Sequence, residues 1–172
     1  LEVIMKKVII IGAGGHCKVV IDTLEIINNV EKQYEIVGVL DDNESNKDVL
    51  GYPILGRLSS LKNYDEKIAF HIAIGNNNIR EKIYKENCTR EFLRVIHPSA
   101  TISKYAIIES GSFLGARTVV NPETRIGRGS IINTGSIIEH ETQIEKFSHI
   151  SYGVLIGSNC KIKEKSFIDM GE

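Results

Sequence analysis

From Ile96 onward an aliphatic residue recurs every six positions: Ile96, Ile102, Ile108, Leu114, Val120 and then isoleucine at each sixth residue to Ile168. Four residues after each lies a second series, mostly small: Ala100, Ala106, Ser112, Thr118, Thr124 and so on to Ser166, with Val154 and Cys160 among them. A period of six fits neither an amphipathic helix nor an isolated alternating strand, and it is the signature of a parallel β-helix. Each hexad then supplies one short flat face. Aliphatics stack inside, and small residues sit where the wall turns too sharply for a larger side chain. Three hexads close a coil, so the thirteen hexads from Ile96 to Ile168 predict about four stacked coils sharing one core.

The N-terminal half follows a different rhythm. Lys7–Ile11 is a continuous β-branched run, predicted to be a buried parallel strand, and Gly12-Ala13-Gly14-Gly15-His16-Cys17-Lys18 leads into a helical pattern through Val19, Val20 and Leu24. A second strand over Glu35–Leu40 closes on Asp41-Asp42, and Gly51–Gly56 reads as turn. A third strand over Ile68–Ile74 runs into Gly75–Arg80 and a helix to about Asn87. Phe92–Ile96 gives a last strand, broken by His97-Pro98. The pattern predicts a small α/β domain with a mainly parallel sheet over residues 5–94, and the β-helix over 95–172. Folding is expected to begin near Met5, with Leu1–Ile4 outside the domain.

Composition narrows the function classes. The chain of 172 residues carries a formal net charge of -1 with both signs interspersed, which gives nucleic acid or an anionic membrane no clustered positive field. Cys17, Cys88 and Cys160 are an odd, scattered set without a CxxC. They suggest a reduced, cytoplasmic protein rather than a disulfide framework or a zinc site. No apolar run approaches the roughly 20 residues that span a bilayer. The five histidines show no HxH or HExxH spacing, so no metal is expected.

Several segments carry candidate chemistry. Gly12, Gly14 and Gly15 form a turn between strand and helix that can present backbone amides to a phosphate or can be a structural turn alone; Cys17 stands where a dinucleotide fingerprint needs its third glycine, which weakens an NAD(P) oxidoreductase reading. Asp41 and Asp42 lie where open α/β sheets hold ligands, or form a solvated turn. Asn76 and Arg80 are binding residues, or a helix start and a surface cation. His71 reads as a satisfied strand residue and His97 as part of the domain junction. His140 lies two residues past an inward Ile138 with Glu139 and Glu141 beside it, at a coil corner, and a carboxylate there can fix its tautomer. His149 and Asn133 are ligand contacts or packing residues.

Ile126-Gly127-Arg128-Gly129-Ser130 and Ile156-Gly157-Ser158-Asn159-Cys160, together with the intact Gly-x-Gly-Gly-His-x-Lys of residues 12–18, resemble the bacterial nucleotide-aminosugar N-acetyltransferases and their sialic-acid O-acetyltransferase relatives. These are hexapeptide-repeat, left-handed β-helix acyltransferases with a Rossmann-like N-terminal domain. The handedness comes from the resemblance, not from the spacing. It implies a nucleotide-sugar held by Gly12, Gly14, Gly15, His16, Lys18, Asp41, Asp42, Asn76, Arg80 and Asn133, with the Asp pair toward uridine. It also implies acetyl-CoA contacted by His149 and Gly157, His140 as general base, Glu141 as its orienting carboxylate, and a homotrimer with sites between coils.

The expected activity is therefore transfer of acetyl from acetyl-CoA to the amine of a UDP-linked amino sugar. A sugar or sialic-acid O-acetyltransferase and a non-catalytic nucleotide-sugar-binding trimer are the alternatives. The six-residue series fails at Asp169-Met170-Gly171-Glu172, whereas members of the resembled family continue for several hexads. The expectation is a coil cut short, loose from about Lys163, that holds nucleotide-sugar normally and acetyl-CoA weakly.

Overall fold

The computed structural model describes residues 4–43, 45 and 47–171; the expectations for Leu1, Glu2, Val3 and Glu172 fall outside the described residues. Strand β1 (Lys6–Ile11) has no exposure from Val8 to Ile11, as a strand covered on both faces requires. It ends at Gly12, whose φ of +98° and whose added Cβ would lie 2.6 Å from Ile74 Cγ1, so only glycine makes this turn. Helix α1 (Gly15–Val30) packs Cys17, Val20, Ile21 and Leu24, spaced by three and four, against the sheet.

The sheet continues with β2 (Tyr34–Leu40), β3 (Asp48–Val49), β4 (Tyr52–Gly56) and β5 (Ala69–Ile72), in the order β3-β4-β2-β1-β5. All pairings are parallel except that of β3 with β4. The chain winds from β1 to β2 on one side and to β5 on the other. The carboxyl ends of β1, β2 and β5 therefore meet at a topological switch point. Helix α2 (Asn77–Glu86) follows β5, capped by Asn76, whose side chain accepts from the Ile79 amide.

Three expectations are corrected. Gly51–Gly56 is not merely turn: Tyr52–Gly56 is a strand, tolerating Pro53 because its neighbour β3 is a two-residue edge strand. The third strand is shorter than Ile68–Ile74, running only over Ala69–Ile72. Phe92–Ile96 divides: Phe92 forms a single bridge to Phe70 of β5, while Val95–Ile96 pairs with Phe113–Leu114 and belongs to the coil.

The coil is a three-faced prism. Its first face stacks Val95–Ile96, Phe113–Leu114, Ile131–Ile132, His149–Ile150 and Phe167–Ile168; its second stacks Thr101–Ile102, Val119–Val120, Ile137–Ile138 and Leu155–Ile156; its third stacks Ile107–Ile108, Arg125–Ile126, Gln143–Ile144 and Lys161–Ile162. In every pair the second residue points inward, so the aliphatic series is the coil's core. From Ser112 onward the residue before each small one adopts the left-handed conformation at the corner, as at Gly111, Arg117, Glu123, Gly129, Glu141, Phe147, Asn159 and Lys165. The small hydroxyl residues also bond across coils. Ser112, Thr124, Ser130, Ser136, Thr142 and Ser148 each donate to the carbonyl fifteen residues on, satisfying a buried corner acceptor.

The first face carries the N-terminal domain. Its outward residues Val95, Phe113 and Ile131 are fully enclosed in one cluster with Val8, Ile10, Cys17 and Val20. The last hexad, expected to be loose, makes ordered contacts over residues 165–168. Phe167–Ile168 pairs with His149–Ile150, and the Lys165 ammonium lies 3.0 Å from the Glu81 carboxylate of α2. That contact with the other domain was invisible in the repeat pattern.

Candidate functional site

At the switch point Asp41 accepts from the Ala13 amide at 2.5 Å and from the Asn43 amide at 2.6 Å, so it shapes the glycine loop as well as facing it. Asp42 accepts from the Leu58 amide at 2.9 Å, holding the start of a short 3-10 turn over Leu58–Asn63. A Cβ on Gly14 or Gly15 would meet nothing within 4 Å; the start of α1 is open, with no side-chain cap on its first amides. Lys18 is exposed one turn into α1.

His16 turns toward the coil. Its ring meets Phe113 edge-on at 4.8 Å, and its Nε2 is enclosed with no partner. Burial, then the neighbouring His71, His149 and Arg80, hold its pKa down to about 3. His71 is satisfied on one side only. Its Nδ1 lies 2.9 Å from the Leu93 carbonyl and so must carry the proton and donate, while Nε2 is enclosed and unpartnered. Burial keeps it neutral with a pKa of about 4, the Leu93 bond opposing and Arg80 assisting. His149 projects from the first face, 3.5 Å from the Gly75 carbonyl and edge-on to Phe167. Burial and then Arg80 lower its pKa as well. Three imidazoles with lowered pKa thus gather near Arg80, two of them against Phe113. Cys17, held up to about 12 by burial and Asp41, is no thiolate.

Arg80 occupies a different place from the substrate contact expected of it, and it is no surface cation either. It is 1% exposed, and its five N–H groups go to the carbonyls of Gly129, Ile74, Gly75, Phe147 and Ser148 and to Asn77 Oδ1, leaving no donor for a ligand. Asn76 is the cap of α2. His97, at the entrance to the coil, accepts at Nδ1 from the Ser99 amide 3.0 Å away and braces the first corner.

His140 stands at the corner between the second and third faces. Its Nδ1 lies 2.9 Å from Glu141 Oε2, and both side chains are half exposed. A carboxylate only accepts, so Nδ1 carries the proton and Nε2 keeps its lone pair. Glu141 is in the left-handed region at φ 58°, the corner geometry that turns it back beside His140. Asn121, Pro122 and Glu123 of the preceding coil complete a shallow depression of about 530 Å³ with Glu139, His140 and Glu141. Gly157 lies one coil beyond Glu139 on the same corner and accepts from Thr142 Oγ1. Asn133 sits at the corner between the first and second faces, its Oδ1 accepting from the Thr134 amide.

The prism therefore separates the expected site into two parts. The glycine loop, Asp41, Asp42, His16 and His149 cluster where the first face meets the N-terminal domain. His140, Glu141 and Gly157 lie on the corner opposite that face.

A family model, the PglD N-terminal domain, matches residues 7–87. Over 118 residues the chain is 32% identical to the UDP-N-acetylbacillosamine N-acetyltransferase of Bacillus subtilis (strain 168), an alignment covering 65% of this chain and 52% of that protein. The acetyltransferase domain of PglB from Neisseria gonorrhoeae FA1090, solved in complex with acetyl coenzyme A, superposes with a TM-score of 0.88 at 32% identity, covering 95% of this chain and 78% of that one. The chain belongs to the nucleotide-aminosugar N-acetyltransferase family. A mutant of the perosamine N-acetyltransferase from Caulobacter crescentus, solved with CoA and GDP-perosamine, is also similar, with a TM-score of 0.83 at 26% identity over 97% of this chain and 79% of that one. The coil is thus a left-handed β-helix following a Rossmann-like domain. This chain spans about half the length of the Bacillus relative. No described helix is long and apolar enough to cross a membrane.

Two features escaped sequence reasoning. Phe113 receives both His16 and His71, and its signal was an aromatic at an outward position of a repeat whose other outward residues are largely polar or aliphatic. The burial of Arg80 had no signal in its own segment, because the coil carbonyls that enclose it lie 49 to 68 residues away.

Proposed function

We propose that this chain transfers the acetyl group of acetyl-CoA to the amine of a UDP-linked amino sugar, with His140 as general base and the working unit a homotrimer. The observation that carries the reading is the His140–Glu141 pair, a correctly tautomerised imidazole on an open corner of an acetyltransferase-family coil. Acetyl-CoA supplies the activated thioester. His140 Nε2 accepts a proton as the amine nitrogen bonds to the acetyl carbon, and returns it to the thiolate as the carbon–sulfur bond breaks. Glu141 holds the ring in orientation and stabilises the imidazolium between these events.

The N-terminal domain holds the nucleotide. Each aspartate has about four acceptor positions, so Asp41 and Asp42 keep capacity for ribose hydroxyls or a uracil N–H after their backbone bonds. The open amides of Gly14 and Gly15, with Lys18, suit a diphosphate. The uridine preference is supported by the relative named for UDP-N-acetylbacillosamine. His149 and Asn133 are assigned to the acetyl and sugar ends. Because His140 lies opposite the face that carries its own nucleotide domain, a neighbouring subunit is the natural source of the sugar it serves. The second face offers a contact for that neighbour, with Val119 and Ile137 half-buried and Leu155 69% exposed.

The test is a panel of UDP-, GDP-, CMP- and dTDP-linked amino sugars, screened first by thermal stabilisation and then by release of free CoA thiol. Thiol release with a UDP-linked amino sugar, from a particle of three chains by light scattering, is the expected result. Stabilisation without thiol release would leave a binding protein and refute the enzymatic assignment.

A further inference from the structure

Helix α2 lies along the corner where the third face meets the first, and it touches all four coils in order. Tyr84 Oη is 2.8 Å from Ser110 Oγ in the first; Arg80 Nε donates to Gly129 O at 2.6 Å in the second, and Arg80 Nη2 to Phe147 O at 2.9 Å in the third; Asn77 Nδ2 donates to Lys165 O at 2.9 Å in the fourth. The match has a physical basis. An α-helix advances about 5.4 Å per turn and stacked strands lie about 4.8 Å apart, so residues three or four apart fall nearly level with successive coils. Gly129, Phe147 and Lys165 are the left-handed corner residues of their coils, and α2 takes up the carbonyl of each.

Arg80 does more than join helix to coil. Its Nη1 also donates to Ile74 O at 2.9 Å and Gly75 O at 3.1 Å, in the loop at the carboxyl end of β5. That loop borders the nucleotide site and sets the carbonyl nearest His149. One planar guanidinium thus fixes the ligand loop to the second and third coils, a task that a lysine ammonium with three donors cannot reproduce.

We infer that Arg80 is a positioning residue, which with α2 as a splint sets the height of the nucleotide-sugar domain along the coil axis and so places the sugar amine level with the catalytic corner of the adjoining subunit. The inference rests on the acetyl-transfer reading above. A misplacement of about 1 Å at a reacting centre costs about 10²-fold in rate, whereas nucleotide contacts within the N-terminal domain are untouched by it. Arg80→Met therefore lowers kcat about 10²-fold while the Kd for UDP, by calorimetry, stays within about twofold. Arg80→Lys gives an intermediate kcat.

The comparator is Ile126→Ala, a truncation inside the coil core that lowers stability while leaving every hydrogen-bond partner of Arg80 in place. Its kcat at a temperature where it is fully folded stays near that of the wild type. An equal fall in kcat for both variants at matched melting temperature, or joint loss of UDP affinity and kcat in Arg80→Met, overturns the positioning role. Hydrogen exchange supplies an arm that needs no turnover: Arg80→Met speeds exchange together in the 74–79 loop and at the 127–130 and 145–148 corners. Faster exchange confined to α2 overturns the splint. Absence of wild-type turnover refutes the enzymatic reading instead and leaves the exchange result to decide the splint.

Discussion

Acidification from pH 7.5 to pH 5 should destabilise this protein before its carboxylates protonate, because it buries neutral histidines. His71 is 1% exposed, with a pKa near 4 against 6.5 when unfolded. Its folded-state pKa is depressed, so the unfolded chain binds the extra proton. The stability His71 contributes is full above about pH 6.5 and is lost as pH falls toward 4. Each pH unit within that window costs about 1.4 kcal/mol, so by pH 5 His71 alone withdraws about 2 kcal/mol. His16 acts in the same direction; as a residue it is only half-buried, but its Nε2 is enclosed and its pKa is near 3. The lowered pKa of His149 adds to the trend. Glu81, Glu109 and Glu145, whose carboxyls are held below 4.5 by their basic partners, contribute losses only at still lower pH. The assay is urea unfolding followed by circular dichroism at the two pH values, at one fixed protein concentration because an oligomer's stability depends on it. His71→Asn, which keeps a donor for Leu93, should remove about 2 kcal/mol of the pH difference. A wild-type unfolding free energy equal at both pH values would refute the account of buried neutral imidazoles.

Other consequences follow from the coil. Ile126→Ala, at an unexposed inward position, should cost about 2–5 kcal/mol in the same unfolding assay. Gly127→Ala would place a Cβ 2.5 Å from the Lys146 amide nitrogen of the next coil, and forcing the coils apart should cost about 1–3 kcal/mol and lower the melting temperature. Leu155→Glu puts a charge on the apolar second face and should shift light scattering from trimer to monomer, with the circular dichroism of the fold retained. Under the proposed trimer, mixing His140→Ala chains with Asp41→Ala chains after denaturation and refolding should raise thiol release above that of either variant alone.

The coil was legible in the sequence because a six-residue period leaves no competing geometry, and the inward aliphatics are where the spacing put them. Its corner hydroxyls were legible only as small residues; that they satisfy carbonyls fifteen residues on required the stacking register. In the N-terminal half, runs such as Val8–Ile11 announced buried strands, while Tyr52–Gly56 hid behind its Gly and Pro because propensity cannot see that a short edge strand will accept it. The His140–Glu141 pair could be read from adjacency, its carboxylate being the next residue. Arg80 could not. A charge followed by Glu81 and Lys82 reads as solvated, and only the contacts of Arg80 with the second and third coils show that it is enclosed.

The central claim, that His140 moves the proton in acetyl transfer, is tested most directly by the steady-state rate of CoA thiol release on a UDP-linked amino sugar for the wild type and His140→Ala, with circular dichroism and UDP calorimetry on the same samples. A positioned general base predicts a kcat lower by about 10²–10⁴ in His140→Ala, unchanged UDP affinity and an intact fold, with Glu141→Gln milder. A folded His140→Ala protein whose kcat lies within about twofold of the wild type would contradict it.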